Sequence, residues 1–281
     1  MAETARQGDG LRIDEHDIDG LGGRIRVRDY HPANRTARTA FLWVHGGGFS
    51  YGGLDQKESD APARALARSG TFVRTVDYRL APKIGLFREP DLSALPGRFP
   101  AGLDDVVSAV ESLAQLEGAP ITLGGASAGG NLAAAAALRL RDESAVMPRS
   151  LVLAYGAFHA VLPTGSTIES ELRGPLARWA FNPAMYRRIA LNYVGDPEKL
   201  VPSLAFPGGF DLAGLPPTLS VNASNDRLRA SGEAFTRELR STGVEVHETV
   251  VEGTHGFLNS PRSRKFADGM RELTRWLASH D

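Results

Sequence analysis

Hydrophobic positions fall into eight short runs separated by longer amphipathic stretches. Ile13 to Ile18 and Arg24 to Tyr30 alternate in character, as half-exposed antiparallel strands do. Phe41 to Val44, Thr71 to Val76, Ile121 to Leu123, Leu151 to Leu153 and Leu219 to Val221 are compact apolar runs, with Glu245 to Val251 as the last candidate. Such runs are expected of strands buried on both faces.

Between the runs lie helical periods. Asp104 to Leu116 sets Val106, Val107, Val110 and Leu113 on one face, with Asp104 and Asp105 near its positive end. Ala61 to Arg68, the alanine-rich Asn131 to Arg141, and Glu233 to Ser241 are further helices. Arg264 to Ala278 is the last, with Phe266, Met270, Leu273 and Leu277 on one stripe. The alternation predicts an α/β fold: a mostly parallel eight-stranded sheet with helices on both faces and its chemistry at the carboxyl ends of the strands. No linker marks a second domain, so residues 1–281 read as one. Residues 83–98 and 158–200 break the alternation and read as insertions over the edge of the sheet. Within the second, Glu169 to Ala180 and Met185 to Tyr193 are predicted helical.

Composition narrows the class. The 281 residues carry 32 Lys and Arg against 33 Asp and Glu, a net charge of -1, so the basic excess of a nucleic-acid binder is missing. With no cysteine, disulfides, thiolate zinc sites and a thiol nucleophile are excluded. No stretch is apolar for long enough to span a membrane, and the first residues have no secretory apolar run. A soluble, cytoplasmic protein is expected.

The chemistry gathers where apolar runs end. Gly125-Ala126-Ser127-Ala128-Gly129 follows a strand and opens a helix. A serine on so sharp a turn needs neighbours nearly free of side chain, and the helix then aims its positive end at developing negative charge. Chance alone yields about 0.2 such G-x-S-x-G matches in this composition, so its context must carry it. His45-Gly46-Gly47-Gly48 after another strand is rarer, at about 0.01, and exposes backbone N–H groups. Gly47, Gly48 and Ala128 are therefore assigned as oxyanion donors. Phosphate and dinucleotide loops lose support, because neither glycine signature is present. Four histidines follow Ser127: His159, His247, His255 and His280. His255 lies in a Gly-Thr-His-Gly-Phe loop after the last strand and is assigned as general base. His247 lies inside a strand, His280 at a fraying terminus, and His159 could line the pocket. Asp226, running off a strand, is the acid.

Together these residues resemble the bacterial hormone-sensitive-lipase-like esterases, an α/β-hydrolase family. The likeness rests on His45 to Gly48, the Asp-Tyr-Arg-Leu-Ala-Pro run at Asp77 to Pro82, Phe99-Pro100-Ala101 before Asp104-Asp105, Ser127 to Leu132, and His255 to Phe257. It implies carboxylic ester hydrolysis by Ser127, His255 and Asp226 through an acyl-enzyme, on short to medium acyl chains, with no cofactor and no metal. It also implies a homodimer as a possible assembly. The family's Asp before the serine is Ala126 here, and the second acidic pair after Asp226 is lost. Only 44 residues precede His45 and the first thirty look like strands, so the usual N-terminal helical cap is short or missing and residues 83–98 roof the pocket instead. Phe49, Tyr51, Trp179, Phe181, Met185, Tyr186, Phe206 and Phe257 are candidates for an apolar pocket holding a small-molecule ester, or equally for core. An amidase, formamidase or carbohydrate deacetylase could use the same triad. A non-catalytic binding protein on this fold would be expected to have lost His255.

Overall fold

The computed structural model describes residues 10–85, 88–94, 96–144, 146–164 and 167–281. The expectations for the first nine residues, and for positions 86, 87, 95, 165 and 166 of the two insertions, lie outside them.

All eight expected strands form, in one sheet ordered β1-β2-β4-β3-β5-β6-β7-β8. They are β1 (Arg12–Gly20), β2 (Gly23–His31), β3 (Ala40–Val44), β4 (Phe72–Val76), β5 (Ile121–Ala126), β6 (Ser150–Ala154), β7 (Thr218–Asn225) and β8 (Val246–Thr254). β1 and β2 form a hairpin, β2 pairs antiparallel with β4, and every pairing from β4 to β8 is parallel. The crossover helices are α1 (Lys57–Arg68), α2 (Ala101–Glu117), α3 (Ala128–Glu143) and α7 (Arg229–Ser241), with α8 (Arg264–Ser279) closing the chain.

The strand alternation explains the two-sided packing. On β3, Leu42 and Val44 join Leu103, Val106 and Val110 of α2 and Leu132 of α3. Phe41 and Trp43 face the other way, onto Ala63 and Leu66 of α1 and Met270 and Leu273 of α8. β6 repeats the division, Leu151 and Leu153 on one side and Val152 and Ala154 on the other. Each Val, Leu or Phe among them, once fully buried, contributes about 1.5–3 kcal/mol. β8 departs from the expected two-sided burial. It is an edge strand paired with β7, and residues on it such as Val250 stay exposed.

One buried ion pair staples the antiparallel edge. Arg74 of β4 makes two 2.7 Å bonds to Asp29 of β2, and both side chains are below 5% exposed. Asp29→Ala strands a guanidinium in the interior and should lower stability by about 3–5 kcal/mol. A urea midpoint equal to wild type would contradict this.

The two insertions meet over the carboxyl ends of the central strands rather than at the sheet edge. Arg98 donates to the backbone oxygen of Asn192, and Asn192 in turn donates to Ser50 and Pro82. Residues 169–180 do not form one helix. They give α4 (Ile168–Glu171) and α5 (Pro175–Trp179), because Gly174 sits at φ 80° and Pro175 restarts the helix at its first turn. α6 (Pro183–Val194) extends the expected Met185 helix and is capped by Asn182. Among the described residues no helix is long and apolar enough to cross a membrane.

Candidate active site

The chain runs from β3 outward to β4 and then back across β3 to β5, so the direction of winding reverses between β3 and β5. Crevices form at such switch points. The His45 loop leaves β3 here and Ser127 leaves β5.

Ser127 sits at φ 54° and ψ -118°, a strained conformation for a residue with a side chain. The turn is so tight that a Cβ on Gly129 would stand 2.1 Å from the Val44 oxygen, and one on Gly125 2.4 Å from the Gly129 oxygen. That is the physical content of the two flanking glycines. The turn is held by Ser127 N–H donating to Ala154 (2.9 Å), and Asn131 pins the start of α3 to the Ala157 and Ala205 oxygens.

Gly47 and Gly48 also take positive φ, 120° and 59°. A Cβ on Gly47 would stand 1.9 Å from the Tyr51 oxygen, so only glycine fits. His45 is fully buried and stacks on Tyr78 at 4.4 Å. Burial lowers its pKa and keeps it neutral. It packs the loop from behind, and its Nδ1 bonds the Gly46 oxygen.

The remaining two residues arrive from parallel neighbours. β7 ends at Asn225 and delivers Asp226, and the loop after β8 delivers His255. His255 Nε2 lies 2.9 Å from Ser127 Oγ, and its Nδ1 lies 2.7 Å from Asp226 Oδ2. Ser127 is 7% exposed and Asp226 2%. Burial disfavours the imidazolium, but the charge and hydrogen bond of Asp226, with the charge of Glu58, outweigh it and raise the His255 pKa above the ordinary histidine value. A hydroxyl, an imidazole and a carboxylate in this series can move a proton off the hydroxyl and hold the resulting cation.

A cleft of about 490 Å³ opens over Ser127, bordered by Gly47, Gly48, Tyr51, Glu58, Ile84, Phe181, Met185 and His255. Behind Ser127 lies a separate apolar notch of about 10 Å³, lined by Phe49, Ala128, Ala157, Tyr186, Phe206 and Leu228 among others. Six of the eight aromatic and methionine candidates thus border one space or the other. Trp179 does not; the residue is 41% exposed. Phe257 does not either, being packed beneath Tyr155 and α8 in the core. His159 is tied to Ser231 and Glu238, and His247 lies exposed on β8. His280 does not fray; it stacks on Trp276 at 3.6 Å. Among the described residues no cluster of three His, Cys, Asp or Glu could hold a metal ion.

Three residues without a sequence signal complete the surroundings. Glu58, on the first turn of α1, reads in sequence as a solvated acid, yet it is 2% exposed. Tyr155, at φ 37° after β6, packs edge-to-face with His255, the ring centres 5.0 Å apart. Asn259 follows His255 on the same loop. Both donate to Glu58.

Residues 41–259 match the α/β hydrolase fold family. The chain is 35% identical over 260 residues to carboxylesterase NlhH of Mycobacterium tuberculosis, covering 89% of this chain and 76% of that one. It superimposes on the hyperthermophilic esterase of Pyrobaculum calidifontis with TM-score 0.80 at 29% identity, covering 95% of this chain and 85% of the other. It likewise matches an esterase of the bacterial hormone-sensitive lipase family with TM-score 0.78 at 25% identity, over 97% and 86% of the two chains. A family match across most of the chain, joined to a curated relative of this identity and coverage, means that the protein belongs to the α/β-hydrolase fold family, among the hormone-sensitive-lipase-like carboxylic ester hydrolases.

Proposed function

We propose that the chain hydrolyses carboxylic esters of short acyl chains through an acyl-enzyme on Ser127. The continuous Ser127–His255–Asp226 hydrogen-bond series at the floor of an apolar cleft carries this reading. His255 takes the serine proton as Oγ attacks the ester carbonyl, and Asp226 orients the ring and stabilises its positive charge. The tetrahedral oxyanion forms against the N–H groups of Gly47, Gly48 and Ala128. His255 then returns the proton to the leaving alkoxide, and later activates water to release the acid.

The geometry also sorts the two halves of the substrate. The proton donor must reach the leaving oxygen, so the alcohol lies on the His255 side, in the larger cleft. The acyl group then enters the notch beside Ala128, whose free space is on the order of that of one water or methyl group. Residues 83–98 and 158–200 act as the cap, with Ile84 on one wall and Phe181, Met185 and Ile189 on the other. A homodimer, as the family resemblance implies, would pair through the last strand and helix, β8 with its unpaired outer edge and α8.

The test is a p-nitrophenyl ester series from acetate to decanoate. We expect kcat/KM to be greatest at acetate and to fall about tenfold or more by octanoate. Ile189 borders both spaces and is half-buried, so Ile189→Ala should raise hexanoate against acetate by about tenfold. Hydrolysis of no member of the series would overturn the reading.

A further inference from the structure

Glu58 is a buried carboxylate that the reaction above does not use. Its Oε2 accepts the Gly46 N–H at 2.9 Å, at the start of the oxyanion loop. Its Oε1 accepts Tyr155 Oη–H at 2.7 Å and Asn259 Nδ2–H at 2.9 Å. These partners lie 12, 97 and 201 residues away along the chain, on the three segments that follow β3, β6 and β8. The carboxylate also borders the substrate cleft. A side chain that served α1 alone would have no reason to bridge all three. A carboxyl group in so dry a site needs each of these donors, because burial pushes its pKa up.

We propose that Glu58 is a positioning residue, which clamps the oxyanion loop to the segments that support and carry His255 and sets a second negative charge beside the imidazole. The proposal rests on the esterase reading given above. The titratable groups facing Glu58 are His255 on its own loop, Tyr155 at the end of β6 and Tyr78 after β4. The tyrosines stay protonated, burial pushing each well above its ordinary value. Asp226 and Glu58 are the two carboxylates that face His255, and both hold its pKa up.

Glu58→Gln removes the charge and turns one acceptor into a donor. If the amide oxygen stays with Tyr155 and Asn259, the amide nitrogen meets the Gly46 N–H, donor against donor. The oxyanion loop should then lose its anchor, with kcat falling about 10-fold to 100-fold and KM changing less than about threefold. The acid limb of kcat/KM follows the deprotonation of His255. With one of its two negative neighbours gone, that limb should move to lower pH by about half a unit. Glu58→Asp keeps the charge, so its limb should stay near that of wild type even if kcat falls. Tyr155→Phe and Asn259→Ala each remove one bond to Glu58, the second also losing a 3.3 Å bond to the Gly256 oxygen, and serve as further probes should a Glu58 variant fail to fold. Each should lower kcat by about threefold or more.

Wild-type kcat and an unmoved limb in Glu58→Gln would overturn the proposal. So would a fall in kcat with no movement of the limb, since a merely structural role predicts that result. If Glu58→Gln does not fold, unchanged kcat in both Tyr155→Phe and Asn259→Ala would overturn it. A wild-type chain that hydrolyses no ester removes the esterase reading itself, whereas an active wild type beside an indifferent Glu58→Gln removes this inference alone.

Discussion

Ser127→Ala lowers kcat towards p-nitrophenyl acetate by about a millionfold and leaves the fold intact. The size follows from what the hydroxyl does. It is the atom that bonds to the substrate carbon, and neighbouring serines cannot replace it because the elbow aims one side chain at the cleft. His255 Nε2 keeps its place through Asp226, but no longer has a nucleophile to deprotonate. The oxyanion N–H groups remain, so a small residual rate above that of water is expected. The stability change is expected within about 1 kcal/mol. The Ser127 backbone bond to Ala154 survives, alanine occupies the same strained φ as serine, and the hydroxyl's partner His255 borders a cleft where water can satisfy it. Kinetics and thermal denaturation together check both halves. Labelling of wild type, and not of Ser127→Ala, by a fluorophosphonate gives a second readout that depends only on an activated serine. Retained turnover in a folded Ser127→Ala protein would remove the serine from the reaction.

The residues that were legible in sequence share one property: each announces itself within a few positions. The Gly125 and Gly129 pair is forced by backbone that would collide with a Cβ, and such a demand writes a local motif. Gly47 is likewise forced by the Tyr51 oxygen four residues on. The continuous apolar runs of β3 and β6 report burial on both sides because both faces of the sheet bury apolar side chains. Glu58 has no such signature. An acidic residue in a first turn is what any exposed helix favours, and only the fold brings Tyr155 and Asn259 to it. Trp179 and Phe257 show the complementary difficulty. An aromatic residue near a site motif is equally at home in core, pocket or surface, and which of these it joins depends on packing between segments distant in sequence. The break at Gly174-Pro175 was readable in principle, since proline favours the first turn of a helix over its interior. The exposure of β8 was not, because edge position is a property of the sheet rather than of the strand.

Asp226→Asn should cost about 10⁴-fold in kcat while changing side-chain volume hardly at all. The geometry fixes how the amide must sit. Asp226 Oδ1 accepts the Leu228 N–H at 3.0 Å, and Oδ2 faces His255 Nδ1 at 2.7 Å. In the asparagine variant the amide oxygen keeps the Leu228 N–H, because the reverse orientation would bring two donors together at a buried site. The NH₂ group then points at His255 Nδ1 and donates to it. Nδ1 becomes an acceptor, so the neutral ring carries its proton on Nε2, which faces Ser127 Oγ. A ring with hydrogen on Nε2 cannot accept the serine proton, and the general base is lost by tautomer rather than by displacement. Loss of the aspartate charge adds to this, since that charge holds the His255 pKa up and stabilises the imidazolium of the transition state. The two effects separate with pH. As pH rises, hydroxide can take over deprotonation of Ser127, so the deficit should shrink at alkaline pH instead of staying constant. A variant with a near-wild-type rate at neutral pH would mean that Asp226 does not set the ring. A deficit independent of pH would mean that the substitution had moved His255 away from Ser127.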